Sequence, residues 1–413
     1  MERRVVITGL GAITPVGNDV NSFWNNIKEG KCGIDYIKQI DTTDLRVKVA
    51  GEVKNFNPSE ALGKKESRRL DRFTQFALVA ADEAIKSSKI DLDKIDKNRF
   101  GVYVGAGIGG LSTIENEVEK LAGDTKKRIS PFFIPMCIIN LCAGNIAIKY
   151  GAKGPCLSTV TACATGNNNI GEAYRAIKHG YADVMLAGGS EASITESGIG
   201  GFDSLKALNT SNDPNRSSIP FDKERGGFVM GEGSGILLLE SLDSALERGA
   251  EILGEIVGYG SNCDAYHITA PEPEGEGAAD AIRLALDEAK VKKEEISYIN
   301  AHGTSTELND LGETLAIKKV FGEAAYNIPV SSTKSMTGHL LGASGAIEAV
   351  ICVKAINDGF IPPTINYKNK DEKLDLDYVP CVGRSKELNY VLSNSLGFGG
   401  HNAILLFKKF SLN

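Results

Sequence analysis

Short runs in which almost every position is apolar alternate along this chain with longer stretches whose apolar residues recur every three or four positions. The short runs Val5–Thr8, Gly101–Val104, Val184–Ala187, Gly235–Leu239, Ile296–Asn300 and Ile404–Phe407 predict strands. The longer stretches Phe73–Ser88, Ala278–Ala289 and Gly312–Phe321 predict helices, and Asn167 to His179 reads as another. Strands and helices in alternation predict an α/β architecture, with sheets covered by helices.

One of these helices recurs. The segment from Cys163 to Tyr181 lies without gaps on the segment from Gly342 to Phe360, at a constant offset of 179 residues. Identities fall at Ala, Gly, Ala, Ile and Gly, with Thr/Ser, Arg/Lys and Tyr/Phe exchanges between them. This is the mark of a duplicated unit. It predicts two related halves, residues 1–250 and 251–413, with the boundary near Ser241–Gly254. The two copies differ at one telling place: Cys163 in the first stands opposite Gly342 in the second.

Composition narrows the class. With 413 residues, 42% hydrophobic and 24% charged, the chain has the makings of a soluble globular protein with a large core. Its 46 glycines fall in short motifs rather than low-complexity tracts. The most apolar stretch, Ile134 to Ile148, is broken by Asn140 and Asn145, so no membrane span is expected. The N-terminal run Arg3–Gly9 lacks the long apolar region of a signal peptide. Eight cysteines show no Cys-x-x-Cys pair, which favours reduced thiols in a cytoplasmic compartment over disulfides or zinc. A net charge of −7 argues against nucleic-acid binding. Basic residues nevertheless gather locally, at Lys64, Lys65, Arg68 and Arg69 and at Lys126, Lys127 and Arg128. A solvated surface explains either cluster alone; together, on an acidic chain, they suit a small acidic partner.

Cys163 is the leading candidate for chemistry. It sits between a glycine-containing loop and the start of the predicted helix, where unpaired backbone N–H groups and the helix dipole favour a thiolate and are suited to hold an oxyanion. Two histidines occupy equally pointed settings. His302 lies where an apolar strand ends in a glycine turn, and His339 lies just before the helix that mirrors the one after Cys163. Residues at strand ends in α/β proteins face the ligand crevice. The histidines are 37 positions apart and lack the close spacing of a zinc pair, so no metal is expected. Lys334, Asp310 and Glu313 are nearby candidates. Near the C-terminus, glycines flank Phe398 and leave its ring able to swing. The run Gly105–Gly110 follows a strand but matches no nucleotide-binding pattern.

Together these stretches resemble the β-ketoacyl-acyl carrier protein synthases, most closely the elongating enzymes of type II fatty acid synthesis. The matching segments are Thr161–Gly166, Asn300–Thr306, Ser332–Gly345 and Asn394–Asn402, with Val6–Gly17 and Pro220–Gly233. His401 is a mild departure, where many relatives carry threonine. The resemblance implies a thiolase-like fold of two related halves in an α/β/α/β/α arrangement, a homodimer, and decarboxylative Claisen condensation of acyl- and malonyl-carrier protein. By the same resemblance, Cys163 would hold the acyl chain as a thioester, and His302 and His339 would assist decarboxylation and stabilise the enolate. Lys334 would support that pair, with Glu313 as its partner. Backbone N–H groups of Cys163 and Phe398 would form the oxyanion hole, with Phe398 as a gate. Thr304 and Thr306 would contact the pantetheine arm, and Ile108, Phe133 and Phe202 would line the acyl tunnel. No cofactor is expected beyond the 4'-phosphopantetheine that arrives on the carrier protein. The acidic carrier protein gives the two basic clusters a partner and adds Lys206 to them. The initiating synthases and thiolases share the fold but use a different partner pattern around the cysteine. Two histidines in these motifs favour an elongating synthase, and KAS I and the polyketide ketosynthases are the alternatives that share this pattern. A non-condensing chain-length partner would typically lack Cys163.

Overall fold

The β-strands of the computed structural model, which describes residues 3–123 and 128–412, repeat one arrangement twice. Val5–Ile13 (β1), Phe100–Gly105 (β2), Cys156–Leu157 (β3), Val184–Glu191 (β4) and Gly233–Ser241 (β5) form the first set. Gly254–Cys263 (β6), Ile296–Asn300 (β7), Val330–Ser331 (β8), Tyr390–Gly397 (β9) and His401–Lys408 (β10) form the second. Hydrogen bonds join them in the order β8-β7-β9-β10-β6-β1-β5-β4-β2-β3. From the central β1/β6 pair outward, each half runs in the same sequence, β1-β5-β4-β2-β3 and β6-β10-β9-β7-β8. The senses of pairing match as well: the two inner pairs are antiparallel and the two outer pairs parallel in each half. The halves meet in an antiparallel register, with Val5 opposite Ile256 and Ile7 opposite Gly254.

Helices Arg72–Ser88 (α1) and Asn140–Tyr150 (α2) cover the outer face of the first half, and Glu276–Ala289 (α4) and Glu307–Phe321 (α5) cover the second. Between the halves lie Thr165–Lys178 (α3) and Ser344–Asp358 (α6), which touch each other and strands of both halves. The α/β/α/β/α layering expected from the resemblance is therefore present. Both central helices are buried almost throughout. Strand β1 is buried at every position, as a strand covered on both faces must be.

Four of the ten strands were not anticipated, the two-residue β3 and β8 and the long β6 and β9. Glycines break the apolar pattern of β6, and packing explains them. A Cβ at Gly258 or Gly260 would lie 2.1 and 1.9 Å from the backbone oxygens of Ala285 and Ala281 in α4. Gly9 and Gly11 of β1 meet Ala84 and Ala80 of α1 in the same way, at 2.1 and 1.8 Å. Strand and helix backbones touch in both halves, and only glycine permits it. Helix α5 begins at Glu307, earlier than the Gly312 expected, because its polar first turn carries no helical apolar stripe.

Helix α3 buries three consecutive asparagines, Asn167, Asn168 and Asn169. Burial of an amide is costly unless it is hydrogen-bonded; Asn168 and Asn169 bond through both side-chain atoms and Asn167 through its NH2 alone. Asn167 Nδ2 donates to the carbonyls of Ser393 and Ala403 at 3.1 and 3.0 Å. Asn168 Nδ2 donates to Tyr259 Oη at 2.6 Å, while its Oδ1 accepts from Thr161 Oγ1 at 2.6 Å. Asn169 exchanges bonds with the backbone of Thr159, at 2.9 and 3.0 Å. The start of α3 is thereby tied both to the second half and to the loop that carries Cys163.

Candidate active site

Cys163 lies in a 3-10 turn, Ala162–Ala164, that runs directly into α3. The preceding Ala162 has φ of 49°, a left-handed conformation that side chains other than glycine resist. Its counterpart 179 residues on, Leu341, has φ of 47° and leads through Leu341–Ala343 into α6. The duplicated segment thus folds the same way twice, strained turn included. From the second copy comes Gly342 rather than a nucleophile.

Cys163, His302 and His339 line one cleft with Phe202, Phe228, Thr304, Thr306 and Phe398. The two imidazole rings face each other edge-on with centroids 5.3 Å apart, and Phe228 packs 5.1 Å from His339. Nδ1 of His339 accepts the Leu341 N–H at 3.3 Å and lies 2.8 Å from Ser344 Oγ. That network assigns the proton of neutral His339 to Nε2. Burial holds both histidines well below the ordinary histidine range, and the Lys334 ammonium adds to it. They are neutral hydrogen-bond donors at neutral pH, suited to an oxygen on which negative charge develops.

The thiolate expected at a helix N-terminus is not the resting form of Cys163. Burial pushes the thiol up to about 12, against the pull of Lys334 and of the backbone N–H groups of Phe398 and Cys163 itself. Those same two N–H groups lie beside the sulfur, and donors so placed suit an oxyanion on an acyl carbon bonded to it. Gly397 makes that placement possible: a Cβ there would sit 2.7 Å from the Thr161 carbonyl oxygen and 3.3 Å from the Cys163 nitrogen.

The structure corrects the pairing of Lys334. Its Nζ bonds Glu348 of α6, both groups being almost wholly buried, and not Glu313. Burial lifts Glu348 to about 7, while the Lys334 ammonium draws it down. Glu313, on α5, instead accepts the N–H groups of His302 and Gly303, each at 2.8 Å, and Asn394 Nδ2 at 3.0 Å. It holds the His302 loop by its backbone. Asp310 accepts the Phe221 N–H at 2.8 Å and faces Arg225 at 3.8 Å, so it braces the loop around Phe221 outside the cleft.

Thr304 and Thr306 line the cleft with hydroxyls 2.9 Å apart. The Phe398 and Phe202 rings lie 6.2 Å apart across it. Ile108 and Phe202 pack against the apolar cluster that contains Cys163, Phe228 and Leu341. Phe133, half-buried at the start of the short helix Phe133–Cys137, belongs to neither that cluster nor the cleft. Lys64, Lys65, Arg68 and Arg69 are exposed around a shallow hollow with Phe132, over whose ring the Arg69 guanidinium lies at 4.8 Å. Arg128 and Lys206 are exposed as well, Lys206 next to the cleft-lining Ala207. Lys126 and Lys127 lie outside the described residues.

Asp264, Thr269, Ala270, Pro271, Asn309 and Asn402 also line the cleft and were not anticipated. Nor was Glu348, although a lone carboxylate in the apolar run Ala346–Val350 is a signal that a buried cation must meet it. Among the described residues, no three His, Cys, Asp or Glu side chains are placed to hold a metal ion, and no helix is long and apolar enough to cross a membrane.

Residues 2–245 match the family model of the β-ketoacyl synthase N-terminal domain, and residues 253–368 match that of the C-terminal domain. The chain is 53% identical to the 3-oxoacyl-[acyl-carrier-protein] synthase 2 of Staphylococcus aureus strain COL, over 99% of each chain. It is likewise 53% identical to the synthase of that name from Synechocystis sp., again over 99% of each. Among solved structures, a type II polyketide ketosynthase in complex with its acyl-carrier protein superposes with a TM-score of 0.92, at 37% identity and full coverage of both chains.

Proposed function

The chain belongs to the β-ketoacyl synthase family, and we propose that it is an elongating 3-oxoacyl-[acyl-carrier-protein] synthase of fatty acid synthesis. The observation that carries this is the meeting, in one cleft, of a buried thiol, two backbone N–H groups beside it and two neutral histidines. Curated relatives at 53% identity over the full length bear the same activity in their names.

The reaction divides into two transfers. In the first, Cys163 Sγ attacks the acyl thioester of the carrier protein. A new C–S bond forms, the bond to pantetheine breaks, and the thiol proton leaves with the pantetheine sulfur. The N–H groups of Cys163 and Phe398 hold the oxyanion meanwhile. In the second, the C–C bond to the malonyl carboxylate breaks, CO2 departs, and the electron pair passes into an enolate. His302 and His339 donate hydrogen bonds to the enolate oxygen. The enolate carbon attacks the acyl-cysteine carbonyl, and Cys163 leaves as thiolate and regains a proton from solvent. The product is a 3-oxoacyl chain two carbons longer.

Neither transfer asks for an electron sink or a redox partner, so we take the chain to need no resident cofactor. The pantetheine arm comes on the carrier protein. The basic hollow of Lys64, Lys65, Arg68 and Arg69, with Arg128 and Lys206, is the surface proposed to receive that acidic partner. A homodimer is proposed through the sheet edge at β3. Both of its residues are exposed, with apolar Ile138, Ile148, Leu157 and Val160 uncovered on and around it, whereas the equivalent edge β8 is buried. Phe133, half-buried beside exposed Ile134, lies outside the cleft of its own chain. Eight free thiols suit a cytoplasmic enzyme, recoverable in the soluble fraction after lysis.

The test is decarboxylation of malonyl-carrier protein by His302→Ala and His339→Ala. Each variant is expected to lose it by 10²-fold or more, on the order of what one donor to a developing oxyanion contributes. Undiminished decarboxylation in both would remove the histidines from the reaction.

A further inference from the structure

Glu191, the last residue of β4, is a fully buried carboxylate outside the cleft. It accepts the backbone N–H groups of Gly107 at 2.7 Å, Ile108 at 3.2 Å and Gly109 at 3.1 Å. Gly342 donates a fourth N–H at 3.1 Å, and Ser193 Oγ donates at 3.1 Å. Consecutive N–H groups turned to one side form an anion-binding nest. Here the chain fills the nest with its own side chain.

What the nest holds gives it a use. Ile108 is its middle residue, and the Ile108 side chain packs against the apolar cluster that contains Cys163. Leu341, next to the fourth donor, belongs to the same cluster. The two backbones are in contact: a Cβ on Gly342 would lie 2.3 Å from the Gly107 nitrogen and 3.0 Å from Glu191 Oε2. One carboxylate thus straps the Gly107–Gly109 turn of the first half to the Leu341–Ala343 turn of the second, the counterpart of the turn that carries Cys163.

We propose that Glu191 is a positioning residue for acyl-chain selection, clamping the turn that presents Ile108 to the backbone of Gly342 and so fixing two walls of the space an acyl chain on Cys163 occupies. This rests on Cys163 carrying the acyl chain. With the strap intact, a long chain is accommodated only as far as the Ile108 and Leu341 side chains rearrange on a fixed backbone. With it loosened, the walls give way and longer chains gain most.

The experiment measures kcat/KM for a long and a short acyl-carrier protein. Glu191→Gln turns an amide NH2 toward groups that are themselves donors. It is expected to raise the long-to-short ratio at least fivefold. Ile108→Ala should move the ratio in the same direction, and the double variant should move it no further than the larger single effect. A ratio within twofold of the unsubstituted chain, or independent multiplying effects in the double variant, would overturn the proposal. Should Glu191→Gln fail to fold, Ser193→Ala removes one donor to the same carboxylate, and a shift of at least twofold is expected; no shift overturns the proposal. If the unsubstituted chain elongates neither substrate, the functional reading falls and the role of Glu191 with it. If it elongates both and the ratio does not respond, only Glu191 is wrongly assigned.

Discussion

At the scale of single residues, the nucleophile is held in check by the burial that makes its site dry. Low dielectric strengthens every hydrogen bond offered to a developing oxyanion, but it also penalises the resting thiolate. With the thiol pushed up to about 12, the charged form is scarce at neutral pH. Thiolate is the form that alkylates, so iodoacetamide should react with Cys163 at a rate that rises about tenfold per pH unit from pH 7 past pH 9. Quantifying the alkylated peptide across that range checks this; a plateau below pH 8 would mean a preformed thiolate. Cys163, His302 and His339 were legible in the sequence because motif and position coincide there. The partner of Lys334 was not. Glu348 is the nearer of the two in the chain, 14 residues away, but it lies inside an apolar helix run, whereas Glu313 follows the His302 motif. Helix α5 directs Glu313 at the His302 backbone, and the central layer brings α6 and Glu348 to the lysine. Which carboxylate meets a buried cation is a tertiary fact.

At the scale of elements, the repeat read from the sequence is a repeat in three dimensions, and the two copies pack on each other at their glycines. A Cβ on Gly166 of α3 would lie 2.6 Å from the Ala346 nitrogen, and one on Gly345 of α6 would lie 2.6 Å from Asn167 Oδ1 and 2.9 Å from its nitrogen. Gly345→Ala therefore drives a methyl group into the amide that ties α3 to β9 and β10. It should cost roughly 1–3 kcal/mol, the usual range for overpacking a core. Because α3 follows directly on Cys163, acyl transfer should fall along with the unfolding midpoint in denaturant. Unchanged values for both would mean that the helices separate freely. Helices α1, α3 and α4 were predicted to within two residues, whereas α5 was found only from Gly312 onward and α2 was missed. Strands β6 and β9 were missed as well: the glycines that let β6 lie against α4 are the residues that erase its strand signal.

At the scale of the whole molecule, two like halves differ in what they leave uncovered. The second half buries its edge strand β8, whereas the first exposes β3 and the basic hollow beside Phe132. Sedimentation should find the chain at twice its own mass. Reversing the charges of Lys64, Lys65, Arg68 and Arg69 should leave that mass unchanged and weaken carrier-protein binding about tenfold or more at low salt, less at high salt. Equal binding at low salt would place the carrier protein elsewhere, and a monomer in both samples would remove β3 as an interface. The α/β class and the duplication were legible in the alternation of the sequence. The open edge was not, because two residues of exposed strand carry no periodic signal.

The central claim is that Cys163 receives the acyl chain and gives it up to a carbon nucleophile. Incubation with acyl-carrier protein, followed by mass analysis of the intact chain and of its peptides, tests this most directly. The expected result is a mass gain of one acyl group on the peptide bearing Cys163, absent in Cys163→Ala. Malonyl-carrier protein should then remove it, with release of CO2 and a 3-oxoacyl chain two carbons longer. An acyl group found on another residue, or released as the free acid with no condensation product, would contradict the claim.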